Sequence, residues 1–152
     1  MTDIKGKTEV INLPAPQLYA AFADMRNFVR NLPEDKQSQV QATEDTLQAQ
    51  VQGFNLGAQI CSRMPYSYVQ MKEISGAPFK FNVEAFMNPV DLQRTEFHLE
   101  LHADLPFMIK MMLGGKLQTL VDTITEKLKD ASEGKINPSD INIDELKAKM
   151  NI

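Results

Sequence analysis

Four titratable side chains, Glu96, His98, Glu100 and His102, alternate with apolar residues just before Asp104. Imidazole and carboxylate groups side by side are the natural ligands of a divalent metal. Residues four apart on one extended strand, however, lie too far from each other to chelate a single ion easily. The row therefore reads as a solvated outer face, and no metal site is expected. Nucleophilic catalysis fares no better, because two outward histidines leave the single cysteine, Cys61, and the serines without an evident base. Gly114-Gly115 lacks the surrounding pattern of a phosphate-cradling loop or a dinucleotide fingerprint. No catalytic residue and no cofactor is expected.

Other residues are suited to binding. Phe107, Met108, Met111 and Met112 crowd the first turns of a helical segment, immediately before the two glycines. Methionine adapts to irregular apolar shapes, and each glycine inside a helix costs roughly 1 kcal/mol against alanine. Either close packing of helix on sheet or a hinge accounts for the glycines. The cluster reads as an adaptable ligand gate, with plain core packing as the alternative. Tyr66 and Tyr68, with Arg63 nearby, could fix the polar end of a ligand, but strand parity does not say whether they face inwards; a surface position is preferred.

These residues need elements to place them. Thr8 to Asn12 reads as a strand, and Pro14 and Pro16 stop it and open a helix. Leu18, Ala21, Phe22 and Met25 then recur at helical spacing, and Asp24 to Leu32 reads as a second short helix ended by Pro33. From Gln39 to Asp104 the period changes to two, broken by turn residues, which predicts five or six meandering antiparallel strands. The cleanest alternations place Phe81, Val83, Ala85 and Met87 on one face, and Phe97, Leu99, Leu101 and Ala103 on one face of a long strand. Phe107 to Ala131 reads as one long helix with a stripe of Leu113, Leu117, Leu120, Val121, Ile124 and Leu128. Beyond it, 132–152 reads as a linker and a short helical tail attached to a single domain over 1–131.

The opening run from Glu9 to Asp24, EVINLPAPQLYAAFAD, together with the long strand broken at Pro106 and the helix after it, resembles the START/Bet v 1-like superfamily, the SRPBCC group of polyketide cyclases and lipid-transport proteins. The resemblance covers about Lys5 to Ala131. It implies an α+β helix-grip fold: a curved antiparallel sheet of six to seven strands around a long C-terminal helix, with two short helices after the first strand. It also implies a deep cavity between sheet and helix, used by relatives for apolar molecules. The inward residues of that cavity would be Phe81, Val83, Ala85, Phe97, Leu99 and Leu101, with Phe107, Met108, Met111 and Met112 at its opening. None of these carries a proton, which departs from the cyclase and dehydratase members.

Composition narrows the function further. With 152 residues, 43% hydrophobic and 24% charged, the chain has the balance of one globular domain. A net charge of −4 with scattered Lys and Arg argues against nucleic acid. No apolar run is long enough for membrane insertion, and the first ten residues are unlike a signal peptide, so a cytoplasmic location is expected by default. The reading that results is a carrier or binder of a small hydrophobic molecule. A non-catalytic interaction protein, with a filled cavity and a docking tail, is the alternative; a cyclase-type enzyme comes third. A homodimer fits any of these.

Overall fold

A computed structural model of the chain describes residues 1–30, 40–51, 54–74 and 76–134; the tail, the end of the second helix and its closing Pro33 lie outside them. The strands are β1 (Thr2–Lys5), β2 (Glu9–Ile11), β3 (Val40–Ala42), β4 (Thr46–Val51), β5 (Phe54–Met64), β6 (Tyr68–Glu73), β7 (Lys80–Pro89) and β8 (Thr95–Asp104). They form one antiparallel sheet in the order β1-β8-β7-β6-β5-β4-β3, with β2 also paired to β8. Helices α1 (Ala15–Phe22) and α2 (Asn27–Arg30) follow β2, as the two prolines and the apolar spacing imply. The period-two segments from β4 to β8 pair as a meander, each strand with the next.

Two features differ from the expectation. The sheet has eight strands because the first nine residues add a strand that short, polar MTDIK does not announce. Lys5 opposes Glu100 and Glu9 opposes Phe97, so Gly6, Lys7 and Thr8 face only His98 and Leu99 across the ladder. That surplus residue is a bulge, which bends and twists the edge of the sheet. The predicted single helix is also two: α3 (Phe107–Leu113) and α4 (Leu117–Ser132), separated at Gly114 to Lys116. Close approach of the sheet does not explain the break, since a side chain on Gly115 would meet nothing within 4 Å and one on Gly114 would press on the Lys110 carbonyl of the preceding turn; two residues with the poorest helix propensity short of proline do.

α4 lies over β8, β1 and β2, and the predicted stripe is its packed side, with Leu117 and Val121 in the core and Leu120, Ile124 and Leu128 against it, joined by Leu113 from the end of α3. Polar bonds from the bulge and from β2 fix its position. The Lys7 amide donates to Asp122 Oδ1 at 2.8 Å, Gln118 Nε2 donates to the Lys5 carbonyl at 3.0 Å, and Lys129 Nζ lies 3.0 Å from Glu9 Oε2. Lys7 Nζ completes the chain, 2.6 Å from Glu126 and 3.4 Å from Glu9.

The hydrogen bond from Lys129, aided by Lys7, holds the Glu9 carboxyl below the usual glutamate range. A carboxylate lowered in the folded state stabilises above its unfolded value and loses that contribution as pH falls through the folded one. The difference in urea midpoint between the native chain and Glu9→Gln is therefore expected to be constant near neutrality and to shrink from about pH 4.3 downwards. A difference that grew on acidification would contradict this pairing.

Candidate functional site

The inward residues of β7 and β8 face the helices together: Val83 pairs with Leu101, Ala85 with Leu99 and Met87 with Phe97. Val69 and Met71 of β6 and Ile60 of β5 continue the same apolar surface. One end of this concave face is closed by α1, whose Phe22 ring lies 5.1 Å from that of Phe97. Burial then changes along β7. Ala85 and Met87 are buried at the α1 end, while Val83 and Phe81 are half-buried towards the end where β8 gives way to α3. Among the described residues the buried polar side chains are Thr95, Thr123 and Thr125, so no proton carrier is buried there.

The ten expected ligand-binding residues thus fall into two groups. Phe81, Val83, Ala85, Phe97, Leu99 and Leu101 line the concave face. Phe107, Met108, Met111 and Met112 do not pack into the core: they are 60–74% exposed, and no residue of α3 is buried. Their spacing, i, i+1, i+4 and i+5, places them on one side of α3, while Ile109 and Leu113 on the other side are half-buried. Four large apolar side chains on seven helical residues form the kind of patch that marks a contact surface.

Arg63 shares the concave side with its partner Val69, but its guanidinium is engaged at the closed end, donating at 2.9 Å to the Ala23 carbonyl and at 2.5 Å to Asp45. Tyr66 sits in the β5–β6 turn with φ 65°, exposed, its ring edge-on to Tyr19. Tyr68 faces outwards from β6. Neither tyrosine lines the concave face.

The outer face of the sheet is less solvated than a row of histidines and glutamates suggests. His98, Glu100, His102 and Glu84 are 20–26% exposed. Tyr68 donates to Glu84 Oε2 at 2.5 Å, and burial together with that bond raises its pKa. His102 Nδ1 lies 2.7 Å from Asp3 Oδ1, and its Nε2 lies 3.0 Å from Glu84 Oε1; the bond to Asp3, despite opposing desolvation, raises its pKa. His98 stacks flat on Phe86, 4.7 Å between ring centres, and bonds Glu100 Oε2 at 2.9 Å. Beside this network a hollow of about 460 Å³ is lined by Met1, Cys61, Gln70, Lys72, Asn82 and His102 among others. Glu84 and Asp3 were missed by reading β8 alone; they come from β7 and β1, and only the strand register brings them to His102.

This architecture is shared with known structures. The Aha1 dimer from Colwellia psychrerythraea superimposes with a TM-score of 0.67 at 14% identity, covering 89% of this chain and 98% of that one. A START superfamily protein from Mycobacterium smegmatis gives 0.61 at 13% identity, over 90% and 100% of the two chains. The chain has the START/Bet v 1-like fold. The di-domain ARO/CYC protein BexL, from the BE-7585A biosynthetic pathway, matches through 46% of its length with a TM-score of 0.58 at 14% identity, covering 89% of this chain. No family model matches the sequence, and no curated protein matches it. The START-like helix grip is here, as read from the sequence, an α+β sheet closed by a C-terminal helix, and no described helix is long and apolar enough to cross a membrane.

Proposed function

We propose that this START-like domain binds a small hydrophobic molecule, lipid-like or aromatic, between the sheet and α4, and that α3 is the surface through which it enters. The observation that carries the reading is the position of Phe107, Met108, Met111 and Met112: exposed, on one side of a helix, next to a two-glycine break. That helix stands at the end of the concave face where Val83 and Phe81 are still half-buried. Apolar area covered by a ligand is worth about 25 cal/mol per Å², and methionine reshapes itself to the molecule it covers. The apolar inner strands favour holding a ligand over transforming it, since catalysis by proton transfer needs a positioned acid or base.

Native mass spectrometry of freshly purified protein, followed by organic extraction, tests the proposal directly: a stoichiometric apolar adduct is expected. A bare chain that also rejects fluorescent fatty-acid probes would overturn it and favour a protein–protein role. Changing Met108, Met111 and Met112 together to serine is expected to weaken probe binding at least tenfold, equal to about 1.4 kcal/mol. The melting temperature should barely move, because exposed positions away from caps and cores change stability by less than about 0.5 kcal/mol each. Unchanged probe binding would remove α3 from the entry route.

A further inference from the structure

On the opposite face of the sheet, we propose that Glu84, Glu100 and His102 form a site for a divalent transition-metal ion of the zinc type. Two adjacent strands bring the ligands together, β7 supplying Glu84 and β8 supplying Glu100 and His102. Their donor atoms lie within 4.8 Å of one another. His102 Nε2 is 3.0 Å from Glu84 Oε1 and 3.9 Å from Glu100 Oε1, distances that straddle the roughly 3.4 Å between neighbouring ligands of a tetrahedral zinc. Side-chain adjustments of a few tenths of an ångström would bring both carboxylates to that spacing from the imidazole nitrogen.

Each ligand is also oriented by a second group. Asp3 Oδ1 takes the Nδ1 side of His102, which leaves Nε2 facing the two carboxylates. Tyr68 holds Oε2 of Glu84 and His98 holds Oε2 of Glu100, so Oε1 of both glutamates is turned to the same imidazole nitrogen. Outer partners of this kind fix the orientation and tautomer of metal ligands. Glu84 and Glu100 are direct cross-strand partners with His102 Nε2 facing both, so a metal ion taking the place of the Nε2 proton would meet two carboxylates and one imidazole at once.

An independent observation lies beside the cluster. Asn82, the cross-strand partner of His102, has a side-chain oxygen shut off from solvent and without a hydrogen-bond partner among the described residues. Asn82 lines the same hollow as His102, so that side of the site has space for a metal-bound water or a small ligand. A cation with open coordination positions has room there for its remaining ligands.

Calorimetric titration of the full-length, chelator-treated protein with zinc chloride is expected to show one equivalent bound, and Co²⁺ to give visible absorption bands at the same stoichiometry. Glu100→Gln and His102→Gln should each weaken zinc binding about tenfold or more, as should the outer-partner change Asp3→Asn. Glu96→Gln, on the same face but outside the cluster, should leave it unchanged. In the native sequence, and so without any effect of substitution on folding, zinc should shift the His102 Nε2 resonance in nitrogen NMR. No saturable binding, or binding that leaves Nε2 unmoved, would overturn the assignment. Loss of the bound ion with Cys61→Ser, and not with the glutamate variants, would move it to the neighbouring thiol and equally overturn it. None of these readouts depends on whether the concave face holds a hydrophobic molecule.

Discussion

Phe97→Ala is expected to cost about 3–5 kcal/mol, the range for emptying a buried aromatic site. Phe97 is completely buried at the middle of the sheet, between Glu9 on β2 and Met87 on β7, with its ring against Phe22 of α1. Its loss therefore removes core area and also loosens the helix that closes one end of the concave face. For a domain of this size the melting temperature should fall by roughly 10 °C. The informative comparison is Phe107→Ala, the same chemical change on a side chain 74% exposed on α3, which should shift stability by less than about 0.5 kcal/mol. Comparable losses from the two substitutions in a urea melt would show that α3 is packed as core, and the separation between structural and binding apolar residues would fail.

The second large effect is expected at Gly6, where the bulge passes under α4. A methyl group added there would lie 2.5 Å from Val121 Cγ1 and 3.0 Å from the Leu99 carbonyl oxygen, which already accepts the Gly6 amide at 2.7 Å. Neither neighbour is the loose end of a long side chain: one is a buried β-branched methyl, the other backbone. Gly6→Ala should therefore destabilise by about 1–3 kcal/mol, as overpacking of a filled core does. Val121→Ala on its own opens a cavity and is destabilising too. Combined, the two should cost less than their sum, with a coupling of about 0.5–3 kcal/mol, because the shortened Val121 accommodates the new methyl. Strict additivity in the double-mutant cycle would mean that the bulge relaxes independently of the helix.

These effects also divide what was legible in the chain from what was not. Alternation along Phe81 to Met87 and Phe97 to Ala103, and the stripe from Leu113 to Leu128, predicted the inner faces of β7 and β8 and the buried side of α4, because side-chain direction follows directly from the period of the element. The proline-bounded start of α1 was equally plain. β1 was not: its four residues have no apolar alternation to speak of, and it is a strand because β8 offers it an edge. The helix break at Gly114-Gly115 was visible as an anomaly, but choosing between close helix-to-sheet packing and a hinge required knowing that nothing approaches Gly115 and that Gly114 is crowded by the preceding turn of its own helix.

The two candidate sites separate along the same line. Local sequence determined which residues are apolar, which are titratable and which share a face within one element, since these depend on residue type and backbone period alone. Tertiary structure decided that Phe107, Met108, Met111 and Met112 point away from the core, because an apolar helix carries no mark of which side its neighbours will cover. It likewise decided that His102 meets Glu84 and Asp3, residues 18 and 99 positions away. Strand order and register, set by the turns and by the bulge at Gly6, create those neighbours, and no spacing along a single strand encodes them.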